Sequence, residues 1–174
     1  MADHVVQESL FEIGPDKEVG YRVPTACQVA GITYRQLDYW ARTKIVTPSI
    51  RGARGSGSQR LYSVRDILIL KMVKGLLDTG VALANIRAGL DAVAGLDIDE
   101  MSQITLISDG ETVHLCTSDQ EILDAVKSGT GTFGIGIGSI YTELTGTIPN
   151  YPSEMPEVAE TIDELAEYRR RKQA

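Results

Sequence analysis

The sequence predicts an α+β protein in two parts: a mostly α N-terminal part carrying a β-hairpin, and a small α+β part behind it. Three observations carry that expectation. Helix caps and apolar residues three to four apart dominate as far as residue 94 and then give way to β-branched runs. The charge divides at the same place. Gly20 to Leu90 holds eleven Lys and Arg against Asp38, Asp66 and Asp78, whereas Asp91 to Tyr168 holds sixteen acids against Lys127 alone. Finally, 174 residues of 43% hydrophobic content suffice for one ordinary domain or two small ones with a real core.

Residues 1–20 are polar, contain Gly14-Pro15 and show no period, so they read as a mobile tail. Pro24 and Thr25 open a short helix that Gly31 ends. Thr33-Tyr34-Arg35-Gln36 is a capping-box pattern that starts a second helix, with Leu37 and Trp40 on one face. Two short helices so closely spaced make a helix-turn-helix. Lys44 to Tyr62 reads as a hairpin with a stop at Pro48 and a flexible basic tip, the winged form of that motif. Ser63 caps a strongly apolar, buried helix from Ile67 to Leu77, and a helix over Leu83–Val93 aligns Leu83, Ile86, Leu90 and Val93.

Beyond Gly95, Ile104–Ile107 and Thr112–Cys116 flank Asp109-Gly110, a hairpin signal. Ser118-Asp119-Gln120-Glu121 is a further capping box, opening a helix that Gly129 ends. A final strand then alternates Phe133, Ile135 and Ile137 with Gly134, Gly136 and Gly138, whose bare face admits another backbone or a partner subunit. The expected divisions are a tail over 1–20, a winged helix-turn-helix over 21–94, a small α+β dimerisation or regulatory domain over 96–148, and an acidic then basic tail over 149–174. That last tail aligns Val158, Ile162 and Leu165 before Arg169 to Lys172.

A basic unit joined to an acidic one suits a nucleic-acid reader with a separate module for assembly or signal input. No apolar run approaches the roughly eighteen residues of a membrane span, and acids stand where a signal peptide carries bases, so the expected location is the cytoplasm. Cys27 and Cys116 lie outside any CxxC spacing and read as buried small hydrophobes, with a sensor thiol at Cys27 as the alternative. His114 and Cys116 share a strand face but lack further metal ligands. Gly129-Thr130-Gly131-Thr132-Phe133-Gly134 matches GxGxxG literally, yet it follows a helix and leads into a strand, the reverse of the dinucleotide-binding order. No catalytic constellation, metal site or cofactor is expected.

Val29-Ala30-Gly31-Ile32-Thr33-Tyr34-Arg35-Gln36-Leu37, the pair Tyr39-Trp40, Pro48, Gln59-Arg60-Leu61-Tyr62, Asp66-Ile67 and Asp78-Thr79-Gly80-Val81 with Ile86 together resemble the MerR family of winged helix-turn-helix transcriptional regulators. Tyr39-Trp40 with a Gly-Ser-Gly-Ser wing looks most like an actinobacterial subgroup, here with an atypical C-terminal domain. The resemblance implies that the second helix enters the major groove, that the wing grips flanking backbone or minor groove, and that a dimer reads a palindrome. It points to Thr33, Tyr34, Arg35, Tyr39 and Arg42 on the helix, and to Arg51, Arg54, Ser56, Ser58, Gln59, Arg60 and Tyr62 in the wing, as the DNA-binding set. Where the family usually has an arginine before the aromatic pair and a glutamate after it, this chain has Asp38 and Ala41, and Asp38 reads as a partner for a neighbouring arginine. The family's long dimerising helix is missing. Phe133, Gly134, Ile135, Gly136 and Ile137 are the candidate dimerisation residues instead.

The expected function is a sequence-specific DNA-binding regulator, a bacterial homodimer at the nucleoid with double-stranded DNA and RNA polymerase as partners. Two alternatives stay open. One is a replication or chromosome factor docking through its tails and acidic domain, with Gln7-Glu8-Ser9-Leu10-Phe11 resembling a sliding-clamp peptide. The other is a regulator responsive to a ligand or metal.

Overall fold

A computed structural model of the chain describes residues 19–53, 59–131 and 133–156. Its first half runs β1 (Tyr21–Arg22), α1 (Val23–Ala30), α2 (Tyr34–Arg42), β2 (Leu61–Tyr62), α3 (Val64–Asp78) and α4 (Leu83–Val93). Pro24 sits in the first turn of α1, where its missing N–H is no loss. Gly31 closes that helix at φ 69°, and Ile32 N–H returns to the Cys27 carbonyl at 3.0 Å. The Thr33 box forms in full: Gln36 N–H donates to Thr33 Oγ1 at 3.2 Å, and Thr33 N–H to Gln36 Oε1 at 2.9 Å. Ser63 and Asp66 make the same reciprocal pair at the start of α3.

The second half runs α5 (Ile98–Ser102), β3 (Thr105–Ser108), β4 (Val113–Cys116), α6 (Asp119–Lys127), β5 (Phe133–Gly136), α7 (Ile137–Thr147) and a 3-10 turn at Ile148–Asn150. The strands form an antiparallel sheet of order β4-β3-β5. Leu106 lies opposite Leu115 and Ile135, and the period of two points this set at the helices. Ile107, opposite His114 and Gly134, faces the other way and is buried where α6 packs on β3 and β4.

One hydrophobic core crosses the change of secondary structure near residue 95. It runs from Tyr21 and Leu37 through Ile67, Leu70, Met72 and Leu76 of α3 to Leu106, Ile137 and Leu144. α3 is its axis, touching α1, α4, β5 and α7, and α4 lies on β4. Gly89 permits that last contact, since a Cβ there would stand 3.0 Å from Val113 Cγ1.

Several expectations change. The final strand stops at Gly136, and Ile137 begins α7, fully buried. The alternation through Ile137 concealed a helical spacing, Ile137, Ile140, Tyr141, Leu144 and Ile148, that the core uses. α5 was not expected, although Asp97 and Glu100 form a capping box at its start. β1 is too short to show a period. At α6 only half a box forms: Ser118 Oγ accepts from Glu121 N–H, while the Glu121 carboxylate takes the Thr117 amide at 2.6 Å. Gly20 and the segment after Pro149 were expected in tails, yet Gly20 and Glu154 exchange two backbone hydrogen bonds of 2.7 and 2.8 Å. Gln7–Phe11, the stripe of Val158, Ile162 and Leu165, and the basic end 169–172 lie outside the described residues.

Candidate nucleic-acid interface

The α2 helix is amphipathic, and its anchoring fixes what it can show. Leu37 and Trp40, both buried in the core, seat one face of the helix against α1, so Tyr34, Arg35, Tyr39 and Arg42 are left outward. Tyr34 is 61% and Tyr39 49% exposed, unusual for residues with so much apolar surface. Arg35, in the first turn, is exposed and enters no ion pair among the described residues. Arg42 Nε lies 3.0 Å from Asp38 Oδ2 with its side chain 71% exposed.

The wing rises beside this face. Arg51 and Leu61 exchange backbone hydrogen bonds of 3.2 and 2.9 Å, closing its base, and β2 continues into pairing with β1. Arg51 Nε donates to the Gln59 carbonyl at 2.9 Å, bracing the two arms, and its Nη2 lies 3.6 Å from Glu154 Oε2. Glu154 also pairs with Arg22. Arg60 turns back onto α2, its Nη2 3.2 Å from Asp38 Oδ1 and its guanidinium carbon 5.9 Å from the Tyr34 ring centre. Gln59 is exposed; Arg54, Ser56 and Ser58 lie outside the described residues.

Two expected site residues change place. Tyr62 is fully buried, and burial pushes its phenol up to about 12 against a smaller opposing effect of the neighbouring Arg60 guanidinium. It holds the wing to the core and presents nothing to a duplex. Ile137 is enclosed by its own chain and leaves the candidate dimerisation set. Of the others, Phe133 and Ile135 are half-buried against the core, Gly136 is half-buried and Gly134 exposed.

The remaining reactive groups do not assemble. Burial pushes the half-buried Cys27 thiol up, against a smaller opposing effect of Arg60, which keeps it a thiol at neutral pH. His114 Nε2 lies 2.9 Å from Thr112 Oγ1 on an exposed strand position. No group of three or more His, Cys, Asp or Glu gathers as metal ligands among the described residues. Gly129 ends α6 at φ 76°, and β5 follows from Phe133, so the glycine run lies between a helix and a strand in that order.

Sequence reasoning found the exposed α2 residues and the pairing of Asp38. It missed Glu154, whose partners are 103 or more positions away in sequence; its only local sign was an acid after a proline-bounded turn.

A family model described as MerR HTH family regulatory protein matches residues 21–93. Over 171 residues, 95% of this chain, the sequence is 53% identical to an uncharacterized HTH-type transcriptional regulator of Mycobacterium bovis, spanning 76% of that protein. The same figures hold for uncharacterized HTH-type transcriptional regulators from two strains of Mycobacterium tuberculosis.

Proposed function

The chain belongs to the MerR family of DNA-binding helix-turn-helix transcriptional regulators, and from that membership we propose that it reads an inverted-repeat promoter site as a homodimer. The observation that carries the reading is Arg35: a cation at the first turn of α2, exposed and without an ion-pair partner among the described residues. A guanidinium so placed matches the O6 and N7 acceptors of guanine in the major groove. Thr33, Tyr34, Tyr39 and Arg42 flank it with hydroxyls and charge for phosphates. Arg51, Gln59 and Arg60 mark the wing that lies along the duplex, continued by Arg54, Ser56 and Ser58.

In this reading DNA affinity resides in residues 21–94, and assembly or signal input in residues 96–148. The open glycine face of β5, at Gly134 and Gly136, is the candidate contact between protomers, and RNA polymerase is a further partner. Selection of genomic fragments by purified protein at near-physiological salt, followed by footprinting, tests it. A protected inverted repeat in promoters supports the proposal, and its half-site spacing reports the dimer geometry. Salt-sensitive binding without a preferred site contradicts it.

A further inference from the structure

An acid on a helix that meets phosphates opposes binding, yet Asp38 stands in the middle of the basic face of α2. Its neighbours give it another task. Oδ2 holds Arg42 from the next turn at 3.0 Å, and Oδ1 holds Arg60 from the returning arm of the wing at 3.2 Å. Arg60 is the more committed of the two: its side chain is 14% exposed against 71% for Arg42, and its guanidinium also reaches the Tyr34 hydroxyl at 3.4 Å. The next residue, Leu61, is fully buried and backbone-paired to both Arg51 and Arg22. The returning arm is therefore fixed twice, by Leu61 in the core and by Arg60 on α2.

From this geometry we infer that Asp38 is a specificity-setting positioning residue, latching the wing to the recognition helix through Arg60. The inference rests on the proposed DNA-reading function. Arg60 commits Nη2 to Asp38 Oδ1 and the Tyr34 hydroxyl together, a charge-assisted contact that grips the wing to α2. A latched wing meets the duplex at one angle relative to α2, and only one register satisfies both. A released wing keeps all its cations and still finds phosphates, but at many registers, so affinity for unrelated sequence survives while discrimination falls.

The sign of one substitution separates this from a purely electrostatic role. Asp38→Asn keeps the shape and removes a negative charge; as a simple repulsive charge its loss would tighten binding to every duplex alike. The latch predicts that the preference for a selected site over a scrambled duplex falls roughly tenfold, the scale of one mispaired position, with scrambled-duplex affinity equal or higher. Arg60→Lys, which keeps the charge but has no planar group to lie against the Tyr34 ring while bonding Asp38, is expected to lose the same preference. Amide hydrogen exchange of residues 59–62, measured without DNA, is expected to speed up in both variants. Uniformly tighter binding with unchanged exchange in Asp38→Asn overturns the inference, as does full preference in Arg60→Lys. A wild-type protein without any preferred site would sink the DNA-reading proposal, and the exchange measurement would still decide whether the latch exists.

Discussion

Asp66 joins the approach to the wing with the start of α3, and its removal has a calculable cost. The side chain is 4% exposed, and Oδ2 accepts from Ser49 N–H at 2.8 Å, Ser49 Oγ at 2.7 Å and Ser63 N–H at 2.9 Å. In Asp66→Ala the Ser49 hydroxyl keeps a partner in Ser63 Oγ at 2.9 Å, so the loss falls on two amides. A hydrogen bond to a charged group contributes about 1.5–3 kcal/mol, and Ser49 and Ser63 can recover part of that from water, which puts the cost at about 3 kcal/mol. The melting temperature should fall by about 10 °C. Urea unfolding followed by fluorescence measures this directly, because Trp40 is the chain's single tryptophan and is 2% exposed. Ser63→Ala, which loses the cap hydroxyl alone, should cost about 1 kcal/mol. An Asp66→Ala penalty no larger than that of Ser63→Ala would refute the reasoning, because the carboxylate would then be acting as an ordinary cap residue.

Three further outcomes follow from local geometry. Gly138→Ala should destabilise by about 1–3 kcal/mol, since its Cβ would stand 2.5 Å from the Ser102 carbonyl oxygen; Gly95→Ala, whose Cβ would meet nothing within 4 Å, is the tolerated control in thermal unfolding. Glu154→Gln releases the charge on Arg22 and Arg51, so the salt dependence of DNA binding should steepen by about 0.9 for each arginine that then meets a phosphate. An unchanged slope would place both arginines off the duplex. The Asp109 carboxyl is held below its ordinary range, chiefly by the Thr112 amide and then by the Glu111 amide. A lowered folded value means that its stabilisation of the β3–β4 turn is complete above the unfolded pKa of about 3.9 and is lost as pH falls through the folded one. The Thr112 amide resonance should move over that acid window, and Asp109→Asn should abolish the movement.

What the sequence made legible was whatever a local rule governs. Thr33 with Gln36, Ser63 with Asp66, Gly31 and Gly129 announce helix ends through contacts within a few residues, and α4 lies over the residues its apolar spacing marks. α7 was hidden because glycines at 134, 136 and 138 imitate a strand's alternation, while its helical stripe needs the core beyond it to become meaningful. The exposed face of α2 was readable because Leu37 and Trp40 leave the rest of a short helix nowhere else to point. Tyr62 was not: it shares a segment with Gln59 and Arg60, and only the pairing of β2 with β1 decides that its side chain turns inward. Glu154 acquires its role from chain closure alone, when residue 20 meets residue 154.

The central claim is that the exposed face of α2 reads bases, and Arg35 tests it most directly. Base-preference profiles of wild-type protein and Arg35→Ala should be measured on the same randomised duplex library at one salt concentration. The account predicts that Arg35→Ala loses discrimination at one guanine-containing position per half-site, by about 1–3 kcal/mol, with the rest of the profile intact. A profile unchanged in shape, with affinity lowered equally for every sequence, would contradict it and reduce Arg35 to a phosphate contact.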